Sequence, residues 1–410
     1  MWARFLSFFL SRLIKQGALV AIYADGRSKQ YGEDSSSPVT VRFHARSLPR
    51  KLLVNPDLAL GEAYMDGTLT IDEDDLYGLL ELLLVNLAHQ PDVWHYRWLA
   101  PLRRLCRGLA QFNPVERARR NVAHHYDLSG ALYDLFLDAD RQYSCAYFRH
   151  PDDGLETAQR DKQALIAAKL LLEPGHRVLD IGCGWGGLGL YLAQEHGTQV
   201  TGVTLSQEQH KIAGERAQAE GLDDRARFYL QDYREVDEIF DRIVSVGMFE
   251  HVGVPHYREF FTTVHNRLAD DGVALLHTIG RADGPGATNP WIAKYIFPGG
   301  YSPALSEVLA VIERAGFYVT DVEVLRLHYA ETLKAWRKRF ETNLDKVRVI
   351  YDERFCRMWR FYLILSELAF RHGGHVVFQI QIAKRQDAVP LTRDYLAAPK
   401  TQDKKGSNAA

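Results

Sequence analysis

Apolar positions change their spacing once along this chain, near residue 160. Before it the pattern is mixed. The run Thr40-Val41-Arg42-Phe43 predicts a short strand, Gly32 to Pro38 reads as a polar turn, and the leucine-rich stretch Leu76 to Leu87 predicts a helix. After it, helical periodicity alternates with short apolar runs. Helices are predicted over Leu155 to Leu172, Leu188 to Gln194, Gln207 to Glu220, Tyr257 to Leu268 and Leu305 to Ala315. Strands are predicted over Arg177 to Ile181, Gln199 to Leu205, Arg225 to Leu230, Phe240 to Val246, Gly272 to Thr278 and Val376 to Ile382. Strands separated by helices argue for a parallel, doubly wound α/β sheet.

The organisation expected is a smaller mixed α/β unit over residues 1–115, an α/β unit over 116–390 and a polar, disordered tail over 391–410. The opening segment interleaves Trp2, Phe5, Leu6, Phe8, Phe9, Leu10, Leu13 and Ile14 with Arg4, Arg12 and Lys15. Two readings stay open there: an interfacial helix lying on a membrane, or an amphipathic helix packed on its own unit. The arginine-rich stretch Tyr96 to Arg120 reads equally as a surface for anionic phosphates, a solvated face or a linker.

Composition narrows this picture. Charged residues make up 25% and the formal net charge is -2, so no basic footprint for nucleic acid is present. The four cysteines are scattered without a C-x-x-C pair, which points to neither a disulfide framework nor a zinc site and fits a reducing, cytoplasmic setting. No stretch approaches the roughly eighteen apolar residues of a spanning helix, and no small-residue cleavage site follows the apolar opening.

The densest local signal is Val178-Leu179-Asp180-Ile181-Gly182-Cys183-Gly184-Trp185-Gly186-Gly187, an apolar strand running into glycines and then a helix. The first βα turn of an open sheet is where nucleotides bind. Gly182, Gly184 and Gly187 satisfy G-x-G-x-x-G, yet the next strand ends Val203-Thr204-Leu205-Ser206, without the acid that a dinucleotide ribose requires. An acid before the first glycine resembles the S-adenosylmethionine site of class I methyltransferases.

Further segments are more specific: Gly61-Glu62-Ala63-Tyr64-Met65-Asp66-Gly67, His125-Tyr126-Asp127-Leu128, Tyr143-Ser144-Cys145-Ala146-Tyr147-Phe148, Leu230-Gln231-Asp232-Tyr233-Arg234, Gly247-Met248-Phe249-Glu250-His251-Val252-Gly253, Leu276-His277-Thr278-Ile279-Gly280, Tyr295-Ile296-Phe297-Pro298-Gly299-Gly300 and Tyr329-Ala330-Glu331-Thr332-Leu333-Lys334-Ala335-Trp336. In order and spacing they resemble the cyclopropane-fatty-acyl-phospholipid synthases and the related mycolic acid cyclopropane synthases, from about residue 40 to 385. The resemblance implies a Rossmann-like class I S-adenosylmethionine-dependent methyltransferase fold with an N-terminal lipid-handling domain. It implies a cofactor site including Tyr143, Ser144, Asp180, Gly182, Cys183, Gly184, Trp185, Gly186, Thr204, Leu205, Gln209, Asp232 and Tyr233. It also implies bicarbonate held by Cys145, Glu250, His277, Ile279 and Tyr329, with the cysteine and isoleucine acting through backbone groups. The implied substrate is unsaturated phospholipid, met at the inner face of the membrane, and a homodimer is suggested. One departure is Ser366, before Glu367-Leu368-Ala369-Phe370-Arg371, where many members of that family carry cysteine.

The chemistry asks for such residues. An alkene attacks a sulfonium methyl only when held in line and away from water. Tyr143, Tyr147, Phe148, Trp185 or Tyr329 offer electron-rich faces to the carbocation that forms. A bound anion can then remove a proton from the added methyl group, with Glu250 and His277 orienting it. His251 is expected as a hydrogen-bonded neighbour, and Cys145 and Cys183 as packed small side chains. The alternatives are a methyl- or methylene-branched product, a non-catalytic lipid-binding protein and an ordinary O- or N-methyltransferase. The last leaves every segment but the glycine turn unexplained.

Overall fold

The computed structural model describes residues 1–33, 37–88 and 130–396. The arginine-rich stretch, His125 to Leu128, the expected boundary at 115 and the tail past 396 lie outside the described residues. Within the expected tail, residues 391–396 are anchored: the Tyr395 hydroxyl donates to Gln381 at 3.2 Å and Arg393 meets Asp321 at 3.1 Å.

The N-terminal part holds more strand than its pattern predicts. β1 (Ala18–Ile22), β2 (Ser28–Gly32), β3 (Val39–Phe43) and β4 (Leu69–Ile71) form a four-stranded sheet in the order β2-β1-β3-β4. β1 is an unbroken apolar run and β2 has only Tyr31 buried, so neither shows the period of two that marks a half-buried strand. Helix Trp2–Leu13 buries Leu6, Leu10 and Leu13 against this unit, while Trp2, Phe5 and Phe8 stay about half exposed at 45%, 55% and 57%. The guanidinium of Arg12 lies over the Phe8 ring and that of Arg50 over Trp2. The two readings of this segment therefore describe its two faces: one packs, the other presents aromatics and cations.

The second sheet has seven strands: β5 (Arg177–Ile181), β6 (Gln199–Thr204), β7 (Ala226–Leu230), β8 (Phe240–Val246), β9 (Leu268–Arg281), β10 (Tyr318–Leu325) and β11 (His375–Ala383), in the order β10-β11-β9-β8-β5-β6-β7. β5 to β9 pair in parallel. β11 alone runs antiparallel to its neighbours β9 and β10, so the expected doubly wound sheet is parallel except at this strand. A strand covered on both faces reads as a continuous apolar run in either direction, so the pattern Val376 to Ile382 carries no information on its polarity. The chain leaves β5 for β6 and β7, then returns to the other side of β5 for β8, and this places a crevice at the carboxyl ends of β5 and β8.

Between β10 and β11 the chain makes three helices, His328–Thr342, Leu344–Ile350 and Glu353–Arg371, none of them singled out by the sequence pattern. They share one apolar core with the N-terminal unit. The segment Gly61 to Gly67 is the seam, at the end of helix Pro56–Met65. Gly61 lies against the buried Trp291 indole, a Cβ there meeting Nε1 at 2.4 Å. Trp291 Nε1 donates to Met65 Sδ at 3.3 Å, Lys294 and the Tyr295 hydroxyl donate to Glu62 at 2.7 and 2.8 Å, and Arg354 reaches Asp66 at 2.8 Å.

Overpacking a tight contact costs about 1–3 kcal/mol. Gly61→Ala should destabilise the protein by that order in denaturant unfolding, and an unchanged midpoint would show that the seam does not bear on stability.

Candidate active site

Two cavities open at the carboxyl ends of the parallel strands. The first is walled by β5 through Asp180 and Ile181, by β6 through Val203 and Thr204, and by β8 through Val246. Of the expected cofactor residues, Tyr143, Ser144, Asp180, Gly182, Cys183, Gly184, Trp185, Thr204, Leu205, Gln209, Asp232 and Tyr233 all line it. Gly184, at φ +55°, has nothing within 4 Å of where a Cβ would stand, so its bare backbone faces open space. Gly186 does not line the cavity. A Cβ there would meet Phe228 at 2.9 Å and Ala213 at 3.0 Å, so this glycine lets helix Gly187–His196 close on its neighbours.

The cavity's polar groups fit a cationic, hydrogen-bonding cofactor. Asp180 is 1% exposed, its Oδ2 has no hydrogen-bond partner among the described residues, and burial pushes its carboxyl up to about 7 against the opposing pull of Lys162. A buried carboxylate in that condition gains most from a ligand that brings positive charge. Thr204 Oγ1 donates to Gln209 Oε1 at 2.8 Å, which fixes the oxygen end of the Gln209 amide on β6. Asp232 is held by Arg234 Nε and Nη2, both at 2.8 Å, leaving its remaining lone pairs for a ligand.

The second cavity is a chamber of about 1020 Å³. Cys145, Glu250, His277, Ile279 and Tyr329 all line it, and so does Ser366. Its wall includes Pro56, Asp57 and Leu84 from the N-terminal unit. The two cavities share Tyr143, Ser144, Gly247 and His251. His251 thus stands at the junction of the two cavities, with its imidazole pushed down to about 4 by burial. Tyr147 and Phe148 line neither cavity. They stack on His328, with ring centroids 4.7 and 6.4 Å away, so they are not the electron-rich faces expected. Phe297 and Phe370 take that place in the chamber wall.

Glu250 follows β8 in a short helical turn, Phe249–His251. Its Oε1 accepts from the Ile279 amide at 2.6 Å, while Oε2 is buried without a partner among the described residues. The Ile279 N–H is thus committed to Glu250, while its side of β9 still lines the chamber. Burial pushes the Glu250 carboxyl up to about 7, against the Ile279 amide. Burial also pushes the Cys145 and Cys183 thiols up, which removes them as nucleophiles. His277 is 2% exposed and is pushed down to about 3 by burial and by the nearby Lys162 and Lys169.

These two lysines had no signal in the sequence pattern. Both are 0% exposed on helix Leu155–Leu170. Lys162 Nζ donates to Ser144 Oγ at 2.8 Å and to Gln142 Oε1, which pins the strip of chain between the cavities.

A family model described as mycolic acid cyclopropane synthetase matches residues 114–380, and a second, of a domain of unknown function, matches residues 5–88. The cyclopropane-fatty-acyl-phospholipid synthase of Escherichia coli (strain K12) is 39% identical over 353 residues, 86% of this chain and 89% of that protein. The tuberculostearic acid methyltransferase UfaA1 of Mycobacterium tuberculosis is 34% identical over 389 residues, 90% of this chain and 89% of that one. Among solved structures, the mycolic acid cyclopropane synthase CmaA1 complexed with SAH and CTAB is 35% identical with a TM-score of 0.62, covering 66% of this chain and 99% of that one. The large sheet is accordingly the Rossmann-like fold of S-adenosylmethionine-dependent methyltransferases, and the chain belongs to the mycolic acid cyclopropane synthetase family.

Proposed function

We propose that this chain transfers the methyl carbon of S-adenosylmethionine to a cis double bond of an unsaturated phospholipid acyl chain and closes a cyclopropane ring, with bicarbonate as the base. The observation that carries this reading is the meeting of a glycine-lined cavity, with the buried carboxyls of Asp180 and Asp232 in its wall, and a chamber of about 1020 Å³ at Tyr143, Ser144, Gly247 and His251. A small polar reagent and a long apolar one are brought together there without bulk water between them.

When bound, the cofactor supplies an electrophilic sulfonium methyl. The lipid gains one methylene unit overall, the two alkene carbons each form a bond to the new carbon, and one proton leaves. The chain's own residues prepare the place. Asp180 and Asp232 supply negative charge to the cofactor cavity, and Gly182 and Gly184 give backbone access. Tyr143 and Tyr329 present ring faces to positive charge developing on the acyl chain. Tyr143 is steadied by the Tyr362 hydroxyl at 2.9 Å and by stacking on Trp336 at 5.1 Å between centroids.

Glu250, half protonated near neutrality, can present O–H to an anion, and His277 remains uncharged, so a small oxyanion finds donors rather than repulsion. On the side of His277, the buried Lys162 and Lys169 add positive charge. The exposed aromatic and cationic face of helix Trp2–Leu13 is the surface we propose for peripheral contact with the bilayer. No helix of the described residues is long and apolar enough to cross a membrane.

Unsaturated phospholipid vesicles incubated with protein and S-adenosylmethionine should yield lipid heavier by one methylene unit with the alkene gone. The same mass gain with an alkene retained, or a saturated methyl branch, would move the chain to the chemistry in the name of its Mycobacterium tuberculosis relative. No gain at all would end the proposal.

Glu250→Gln is expected to cut turnover by about a hundredfold while leaving cofactor binding intact. It should also change stability with a definite sign. Burial raises the folded carboxyl to about 7 from its ordinary 4.5, so the wild type loses stability as pH rises through that interval. The glutamine variant escapes this loss, and its melting temperature should exceed the wild type's by more at pH 8 than at pH 5. A pH-independent difference would mean that Glu250 does not carry a buried charge. Replacing Trp2, Phe5 and Phe8 together by alanine should weaken vesicle sedimentation without changing the melting curve, and undiminished sedimentation would remove this helix from the membrane contact.

A further inference from the structure

Lys162 and Lys169 are seven residues apart, about two turns, so their side chains leave the same face of helix Leu155–Leu170. Lys162 serves the strip between the cavities. Lys169 faces a different group, Gln379 on β11, whose side chain is also 0% exposed. Lys169 Nζ lies 2.8 Å from Gln379 Oε1, and its charge is matched by Glu323, bonded to it directly, and by Asp321 at 3.9 Å.

A lysine ammonium has three donors and no acceptor. It therefore selects the oxygen end of the Gln379 amide, and the NH₂ end must point the other way. That end lies 3.1 Å from Nδ1 of His277, its registered neighbour across the β9–β11 pair. An amide NH₂ can only donate, so Nδ1 must accept and carries no hydrogen. The imidazole is neutral, since burial and both lysines oppose its protonation. Its single hydrogen is then on Nε2, at the ring edge away from Gln379, and the side chain lines the chamber.

We propose that Lys169 and Gln379 are positioning residues that lock His277 as the Nε2–H tautomer, making it a fixed hydrogen-bond donor to an oxyanion in the chamber. The catalytic consequence rests on the reading of His277 as an anion ligand given above; the lock itself does not. A histidine in the other tautomer would present a lone pair to the anion, and the two would repel. The relay converts the charge of a buried lysine into the direction of one N–H bond, through two hydrogen bonds.

The test uses the full-length protein with ¹⁵N-labelled histidine and no ligand. The His277 ring signals are identified by their loss in His277→Gln. In the wild type they should report a protonated Nε2 and a bare Nδ1. Gln379→Glu keeps the side-chain shape but places an acceptor at Nδ1, and should move the hydrogen onto Nδ1 or protonate both nitrogens. Lys169→Met removes the cation that orients the amide, and should give a mixture of tautomers. In the vesicle assay Gln379→Glu should lower kcat by about a hundredfold with the KM for phospholipid and the cofactor affinity unchanged. A wild-type His277 protonated on Nδ1, or tautomers indifferent to both substitutions, overturns the lock. A tautomer that switches while turnover stays normal upholds the lock and overturns the catalytic reading of His277 instead.

Discussion

Charge held away from water is the constraint on which the rest of this structure turns. Taking an ion out of water costs several kcal/mol even after relaxation, and proteins tolerate it only with partners at hand. Around the junction of the two cavities this chain buries Lys162, Lys169, Asp180, Asp232 and Glu250, each below a tenth exposed. Some are matched: Lys169 by Glu323, Asp232 by Arg234. Asp180 and Glu250 each keep one oxygen with no partner among the described residues. Such groups cost stability until a ligand answers them. Asp180 faces the cavity of the glycine turn and Glu250 the larger chamber, so the two uncompensated carboxyls stand on either side of the shared wall of Tyr143, Ser144, Gly247 and His251.

Water exclusion follows from the same arrangement. Tyr143, Trp336, Tyr329 and Phe370 form a continuous aromatic contact, with centroids 5.1 Å apart for the first pair, 5.8 Å for the second and 4.9 Å for the third. Tyr143, Tyr329 and Phe370 line the chamber with Trp336 buried beside them, and aromatic rings attract positive charge without supplying a nucleophile that would trap it.

The parallel strands and the glycine turn were legible because short apolar runs bounded by helices leave few other options, and the observed ends differ from the expected ones by only a few residues. β1 and β2 were missed although Asp25-Gly26, with Gly26 at φ +82°, is the turn chemistry of a hairpin. The flanking runs lack alternation, because one is buried on both faces and the other is almost wholly exposed. Lys162 and Lys169 were illegible for a different reason. Lysine on a helix reads as a solvated face, and only the fold brings Gln142 and Gln379 close enough to hold it in the core. That His251 lines the chamber beside Glu250 was not legible either, because it depends on the short helical turn Phe249–His251, which brings both side chains to the same wall.

The segment Gly61 to Gly67 is the clearest case of a motif whose reason lies in packing. Nothing in it touches either cavity. Its glycine admits Trp291, its methionine receives the indole N–H, and its two acids bind Lys294 and Arg354. The same helix begins with Pro56 and Asp57, which stand in the chamber wall. Residues that precede the part matched by the cyclopropane synthetase family model thus complete a cavity that the later part begins. The seam joins helix Pro56–Met65, which carries Pro56 and Asp57, to helix Pro290–Tyr295, whose Ile292 lines the same chamber.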